Sequence, residues 1–121
     1  MRTNIILFFF FLSISFVHAQ GDESRDSILG RKYYEKITYS NPDTTFFYAQ
    51  KAAFHLEDTQ DWEKIINAYY FMAAAKRWQS DFLESMNYID IQLKLSKEHF
   101  GEKSTIYTNG LIILGSNYSI L

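Results

Sequence analysis

Apolar residues recur at intervals of three and four along most of this chain, and short polar clusters interrupt them at regular distances. Ile28, Leu29, Tyr33 and Ile37 lie near helical spacing and predict a first short helix ending near the stretch TYSNP. Asn41-Pro42 predicts a break and a restart, with asparagine as N-cap and proline at the first helical position, where its missing N–H has no intrahelical partner to lose. The second helix runs through DTTFFYAQKAAFHLEDT, with Phe46, Ala49, Ala53 and Leu56 on one face. Asp61 is the N-cap candidate of a third helix, in which Ile65, Tyr69, Met72, Ala73 and Lys76 follow a period near 3.6.

Ser80-Asp81 then breaks the pattern, and Asp81 and Glu84 have the spacing of a capping box. Phe82, Ser85, Met86, Ile89, Leu93 and Phe100 form the stripe of a fourth helix, and Gly101 stands where a left-handed residue ends a helix. Ser104 opens a fifth segment that reaches Leu121. Asn109-Gly110 inside that segment is also a hairpin signal, so a strand pair stays open as its alternative. The expected fold is all-α, with about five helices arranged as antiparallel hairpins.

The first nineteen residues follow a different pattern. Arg2 precedes an apolar run from Ile5 to Val17, and Val17 and Ala19 are small enough for the recognition subsites of signal peptidase. A signal peptide over 1–19, cleaved after Ala19, is the expectation, and it implies a secreted or periplasmic protein. An N-terminal membrane anchor is the alternative, but the run falls short of the roughly 20 residues that span a bilayer. No Cys follows the run to take a lipid. The polar stretch 20–27, QGDESRDS, reads as a disordered leader, which leaves 28–121 as the folded domain.

Comparing the chain with itself adds a repeat. Met72-Ala73 and Leu114-Gly115 are each a large apolar residue followed by a tiny one, 42 positions apart. A tiny residue there lets a second helix approach closely. In these features the sequence resembles the tetratricopeptide repeat family, in its longer form of about 40–42 residues per repeat. Met72-Ala73 matches the family's Leu-Gly pair, Ser80-Asp81-Phe82 its Gly-Asp-Tyr turn, Ser85 the small residue of its second helix, and Leu93-Lys94-Leu95 its Leu-x-Leu ending. Phe100-Gly101 falls in the extended link, Ala52 at the small position of a preceding second helix, and Tyr118 at the aromatic position of the next first helix. Lys76 stands where tyrosine is usual and Gln92 where alanine is usual. The resemblance implies a short solenoid of stacked hairpins; an unrelated antiparallel bundle is the alternative.

Charge and chemistry narrow the function. Removing 1–19 takes away only Arg2, leaving 11 basic against 14 acidic residues and no basic patch, which argues against nucleic acid as a partner. There is no Cys for a disulfide or a thiolate. His55 and His99 lie on different helices without Cys or carboxylate at ligand spacing, so no metal or other cofactor is expected. No phosphate loop, nucleophile elbow or zinc-protease motif occurs, and an enzyme is not expected. Asn117-Tyr118-Ser119 matches a glycosylation sequon.

The resemblance implies a concave face lined by the first helix of each repeat. Carried onto this chain, it presents Asn67, Tyr70, Ala74, Arg77 and Trp78, with Asn109, Ile112 and Ser116 from the next helix. Tyr, Trp and Arg are the residue types enriched at binding hot spots; packing of Trp78 against a neighbouring repeat is the equal alternative. Tyr70 and Ala74 replace two residues of the constellation with which some family members clamp a peptide carboxylate, so that mode is not expected. The expected role is an exported scaffold that binds a protein or peptide. The alternative is the extracytoplasmic sensor segment of a signalling protein. The apolar residues of 105–121 lack a polar outer face, so 28–121 is expected to be either the front part of a longer repeat array or a self-associating unit.

Overall fold

The computed structural model describes residues 25–121, and the expectations placed on 1–24 lie outside them. The described residues form five helices and no strand. Helix α1 occupies 25–35, α2 Pro42–Leu56, α3 Trp62–Trp78, α4 Phe82–Phe100 and α5 Thr105–Ile120. One boundary corrects the expectation: 25–27, assigned to a disordered leader, are already helical. The hairpin signal at Asn109-Gly110 is overruled, because both residues lie inside α5.

Local chemistry sets most helix ends. Asn41 is extended (φ −158°, ψ 129°), and its side-chain oxygen accepts the N–H groups of Asp43 at 2.8 Å and Thr44 at 3.3 Å. Glu84 N–H donates to Asp81 Oδ1 at 3.3 Å, and Tyr107 N–H donates to Ser104 Oγ at 3.3 Å. Each such cap is worth about 1 kcal/mol against alanine. Asp61 holds the N-cap position of α3 but makes no cap bond; it pairs instead with Lys64 at 3.4 Å.

The turn at Ser80-Asp81 has a specific form. Ser80 adopts φ 63°, its N–H reaches Arg77 O at 2.9 Å, and Asp81 N–H reaches Lys76 O at 2.9 Å. This is the Schellman pattern, with serine in the left-handed position that glycine usually takes. Gly101 ends α4 at φ 89°, but its ψ of 163° is extended rather than left-handed helical.

Successive helices are antiparallel. Asp26 meets His55 at 3.6 Å, Gln79 Nε2 donates to Asp43 Oδ1 at 2.5 Å, Trp62 stacks on His99, and Asn117 meets Ser85. Each of these contacts joins the start of one helix to the end of its neighbour. Helices α1, α3 and α5 form one layer, in which Tyr34 touches Asn67 and Phe71 and α3 contacts α5. Helices α2 and α4 form the other, with Phe46 and Tyr88 rings 5.7 Å apart. The result is a short helical solenoid.

The repeat is visible in the burial. Thr45 and Ser85, Ala49 and Ile89, Ala52 and Gln92, and Leu56 and Ser96 are buried pairs, each forty residues apart, on α2 and α4. This register sets Thr45, not Ala52, opposite Ser85. On α3 and α5, Ala68 and Gly110, and Ala75 and Asn117, are buried pairs 42 apart.

The first core cluster is built from Ala49, Ala52, Ala53, Ala68 and Met72. Small side chains bring the helices close, and the surrounding Tyr33, Tyr34, Phe46, Tyr69, Phe71 and Tyr88 supply the apolar area. Larger anchors are fully buried too: Leu56, Ile66 and Ile89, each contributing about 1.5–3 kcal/mol on burial. A second cluster joins Ala73, Ile89 and Ile113. Beside it runs a buried polar chain in which Asn117 Nδ2 donates to Ser85 Oγ at 2.8 Å and Ser85 Oγ donates to Ala73 O at 2.8 Å. That chain ties α5 to α4 and α4 to α3. It also commits the nitrogen a glycan would need, so the Asn117 sequon is closed in the folded chain.

Candidate binding cleft

A cleft of ≈ 350 Å³ opens between the N-terminal halves of α3 and α5. From α3 it is lined by Glu63 and Asn67, and from α5 by Thr105, Ile106 and Asn109. Phe100 and Ser104, flanking the α4–α5 link, close one end. The 42-residue shift that superimposes α3 on α5 relates Glu63 to Thr105 and Asn67 to Asn109. The two asparagines therefore face one space because they hold the same place in successive repeats.

Neighbouring contacts hold the walls. Asn67 Nδ2 donates to Tyr34 Oη at 3.3 Å, which orients its amide from α1. The Lys64 ammonium lies 5.9 Å from the centre of the Tyr34 ring. Trp62 and His99, each next to a lining residue, stack with centroids 3.9 Å apart and 14° between planes, fixing the start of α3 to the end of α4. Ser104 stays in place through its own cap, since its hydroxyl also donates to Gly101 O at 2.7 Å.

The residues expected on the concave face separate into groups. Asn67 and Asn109 are brought together in the cleft. Tyr70 and Ala74 are half-buried and pack on the Ala73–Ile89–Ile113 cluster. Arg77 is half-buried, and its Nε is buried without a hydrogen-bond partner. Trp78, at the last turn of α3, is 52 % exposed and does not line the cleft. Ile112 is exposed and Ser116 half-buried, also away from it. Glu63, Thr105, Ile106, Ser104 and Phe100 were not among the expected residues. Extending the repeat shift by one helical turn from Asn67 and Asn109 would have found Glu63 and Thr105.

An aromatic group borders the same layer. Tyr39, in the α1–α2 connection, meets Phe71 edge-on at 5.4 Å. Its phenol is pushed up to about 12, first by burial of the hydroxyl and then by the Tyr70 and Tyr34 phenols beside it. On the other face, a groove of ≈ 210 Å³ between α2, α3 and α4 is lined by Phe54, Tyr69, Met72 and Tyr88 among others. Burial, followed by Glu57 and Tyr88, raises the Tyr69 phenol; burial, followed by Glu84 and Asp81, raises that of Tyr88.

Among the described residues no group of three or more His, Cys, Asp or Glu is placed to hold a metal ion, and no helix is long and apolar enough to cross a membrane. The cleft offers side-chain amides, hydroxyls, one carboxylate and two apolar surfaces. No family model, curated protein or solved structure matches the chain.

Proposed function

We propose that this chain is a helical-repeat scaffold, of the tetratricopeptide-like kind its motifs resemble, that holds a peptide segment in the cleft between α3 and α5. The observation that carries this reading is the pairing of Asn67 with Asn109 across one cleft. A carboxamide presents one acceptor and two donors, which match the N–H and C=O of a peptide group. Two of them on parallel helices, one repeat apart, suit an extended backbone. Phe100 and Ile106 supply apolar surface for its side chains, and Glu63 favours a basic or uncharged segment over an acidic one. Recognition by fixed polar groups in a largely preformed groove is a binding role rather than a catalytic one. Export through residues 1–19 would place the scaffold outside the cytoplasm.

Selection of a random displayed peptide library against the chain tests the reading. Enriched peptides should lose about tenfold or more in affinity on Asn109→Ala, as expected for loss of hydrogen bonds worth roughly 1.4 kcal/mol in total. Asn109 is exposed, so the change leaves the fold intact. Failure to enrich peptides, or enriched peptides indifferent to Asn109→Ala and Asn67→Ala, would remove the cleft as the site.

A further inference from the structure

Helix α5 differs from the other four helices in carrying no Asp, Glu, Lys or Arg over its sixteen residues. One face, with Gly110, Ile113 and Asn117, is buried. Another is open. Leu111 is 43 % exposed, and a Cβ placed on Gly115 would meet no atom within 4 Å.

The repeat shows what this open face is shaped to receive. The shift relating α3 to α5 places Gly115 on Ala73 and Leu111 on Tyr69. In α3 those positions lie against α4. Ala73 is fully buried, clusters with Ile89, and receives the Ser85 hydroxyl on its carbonyl at 2.8 Å. Tyr69 and Tyr88 line one groove. The open face of α5 thus continues an interface that is already formed one repeat earlier, with glycine leaving even more room than alanine.

We propose that the Leu111–Gly115 face of α5 docks an amphipathic helix built like α4 and running antiparallel to α5. Such a helix carries a small hydroxyl residue in its first turn, in the place of Ser85, to donate to the Gly115 carbonyl. One turn later a large apolar residue, in the place of Ile89, packs over Gly115. Its remaining faces are polar. The absence of charge on α5 means that no ion pair is demanded of the partner; fit depends on the small-residue contact and the apolar stripe. A second copy of this chain cannot offer its own α4, which is already packed between α3 and α5.

A fluorescent synthetic peptide spanning 80–101, the α4 sequence, is titrated into the full chain and followed by anisotropy. Saturable binding with a gain of helical circular dichroism is the expected result. Gly115→Leu should weaken binding about tenfold or more by filling the contact, and Leu111→Glu should weaken it likewise. Neither should lower the melting temperature appreciably, since Gly115 faces open space and Leu111 is exposed. Asn109→Ala should leave it unchanged, which separates this face from the proposed peptide cleft. Absence of saturable binding overturns the proposal, as does binding that both α5 variants leave intact. Concentration-dependent dimerisation that Gly115→Leu abolishes, with no peptide binding, also overturns it and assigns the face to a second copy.

Discussion

Gln92 on α4 fills the space that Gly110 on α5 leaves empty. A Cβ on Gly110 would collide with the Gln92 amide and come within 2.8 Å of Leu93 Cδ2. Gln92 is fully buried, and its Nε2 donates to Ile106 O at 2.7 Å. One repeat earlier the same two places hold Ala52 and Ala68, in the same cluster. The second repeat has therefore exchanged a pair of small residues for a large one against the smallest. Gly110→Ala should overpack this contact and cost about 1–3 kcal/mol. Gln92→Ala should relieve the collision, so that the double variant is more stable than the two single losses predict. Urea melts of the four proteins measure this coupling, and strict additivity would contradict it.

Ala73 and Ala74 are adjacent in sequence but differ in environment. Ala73 has no exposed surface and touches α4 through its carbonyl, whereas Ala74 is half-buried at the edge of the second cluster. Ala73→Leu should cost about 1–3 kcal/mol by forcing α3 and α4 apart. Ala74→Leu should cost much less. Thermal melts in parallel check the register of α3, which equal losses would reject.

Ser85 carries the polar link between three helices. Ser85→Ala removes the donor to Ala73 O and leaves the buried Asn117 amide without its acceptor. A buried donor stripped of its partner costs about 1–3 kcal/mol. Ser96→Ala serves as a comparison, because the Ser96 hydroxyl bonds only within its own helix, to Leu93 O at 3.1 Å. Chemical denaturation should show Ser85→Ala as the larger loss.

The phenol of Tyr39 gives the fold an alkaline dependence. Its value rises from 10.0 to about 12, so the folded state holds this proton more tightly than the unfolded chain does. Stability linked to the neutral phenol is fully present below pH 10 and is lost as pH climbs towards 12. Tyr69 and Tyr88 shift in the same direction and add to the loss. Tyr39→Phe should flatten the stability curve in this window relative to the parent chain, because it keeps the ring against Phe71 and removes only the hydroxyl. Denaturation midpoints across the alkaline range measure the slope.

The starts of α2, α4 and α5 were legible from local signals. Asn41, Asp81 and Ser104 cap where their side chains have a free N–H one turn ahead, and that chemistry needs no tertiary contact. Asp61 shows the limit of the same reasoning: it holds the cap position, but Lys64 takes its carboxylate. Of the eight residues expected on the concave face, two line the cleft. Asn67 and Asn109 came from the family resemblance, whereas Trp78 fell away from the cleft because it lies at the last turn of α3, beyond the part of α3 that faces the start of α5.

The sequence by itself determined that the described residues are helical, where α2 to α5 begin and end to within a few residues, and that a large-then-tiny pair recurs after 42 positions. Those properties depend on periodicity and on capping groups within one turn of each other. Only the tertiary structure decided that Asn109-Gly110 is helix rather than hairpin, that Gln92 lies fully inside, and that Asn67 and Asn109 line one cleft. Each outcome turns on what a neighbouring helix presents. Gly110 is held helical in α5 because α4 needs its missing Cβ, and Gln92 is tolerated inside because Ile106 O accepts its amide and Gly110 makes room. No spacing within a single helix encodes that exchange of volume between two.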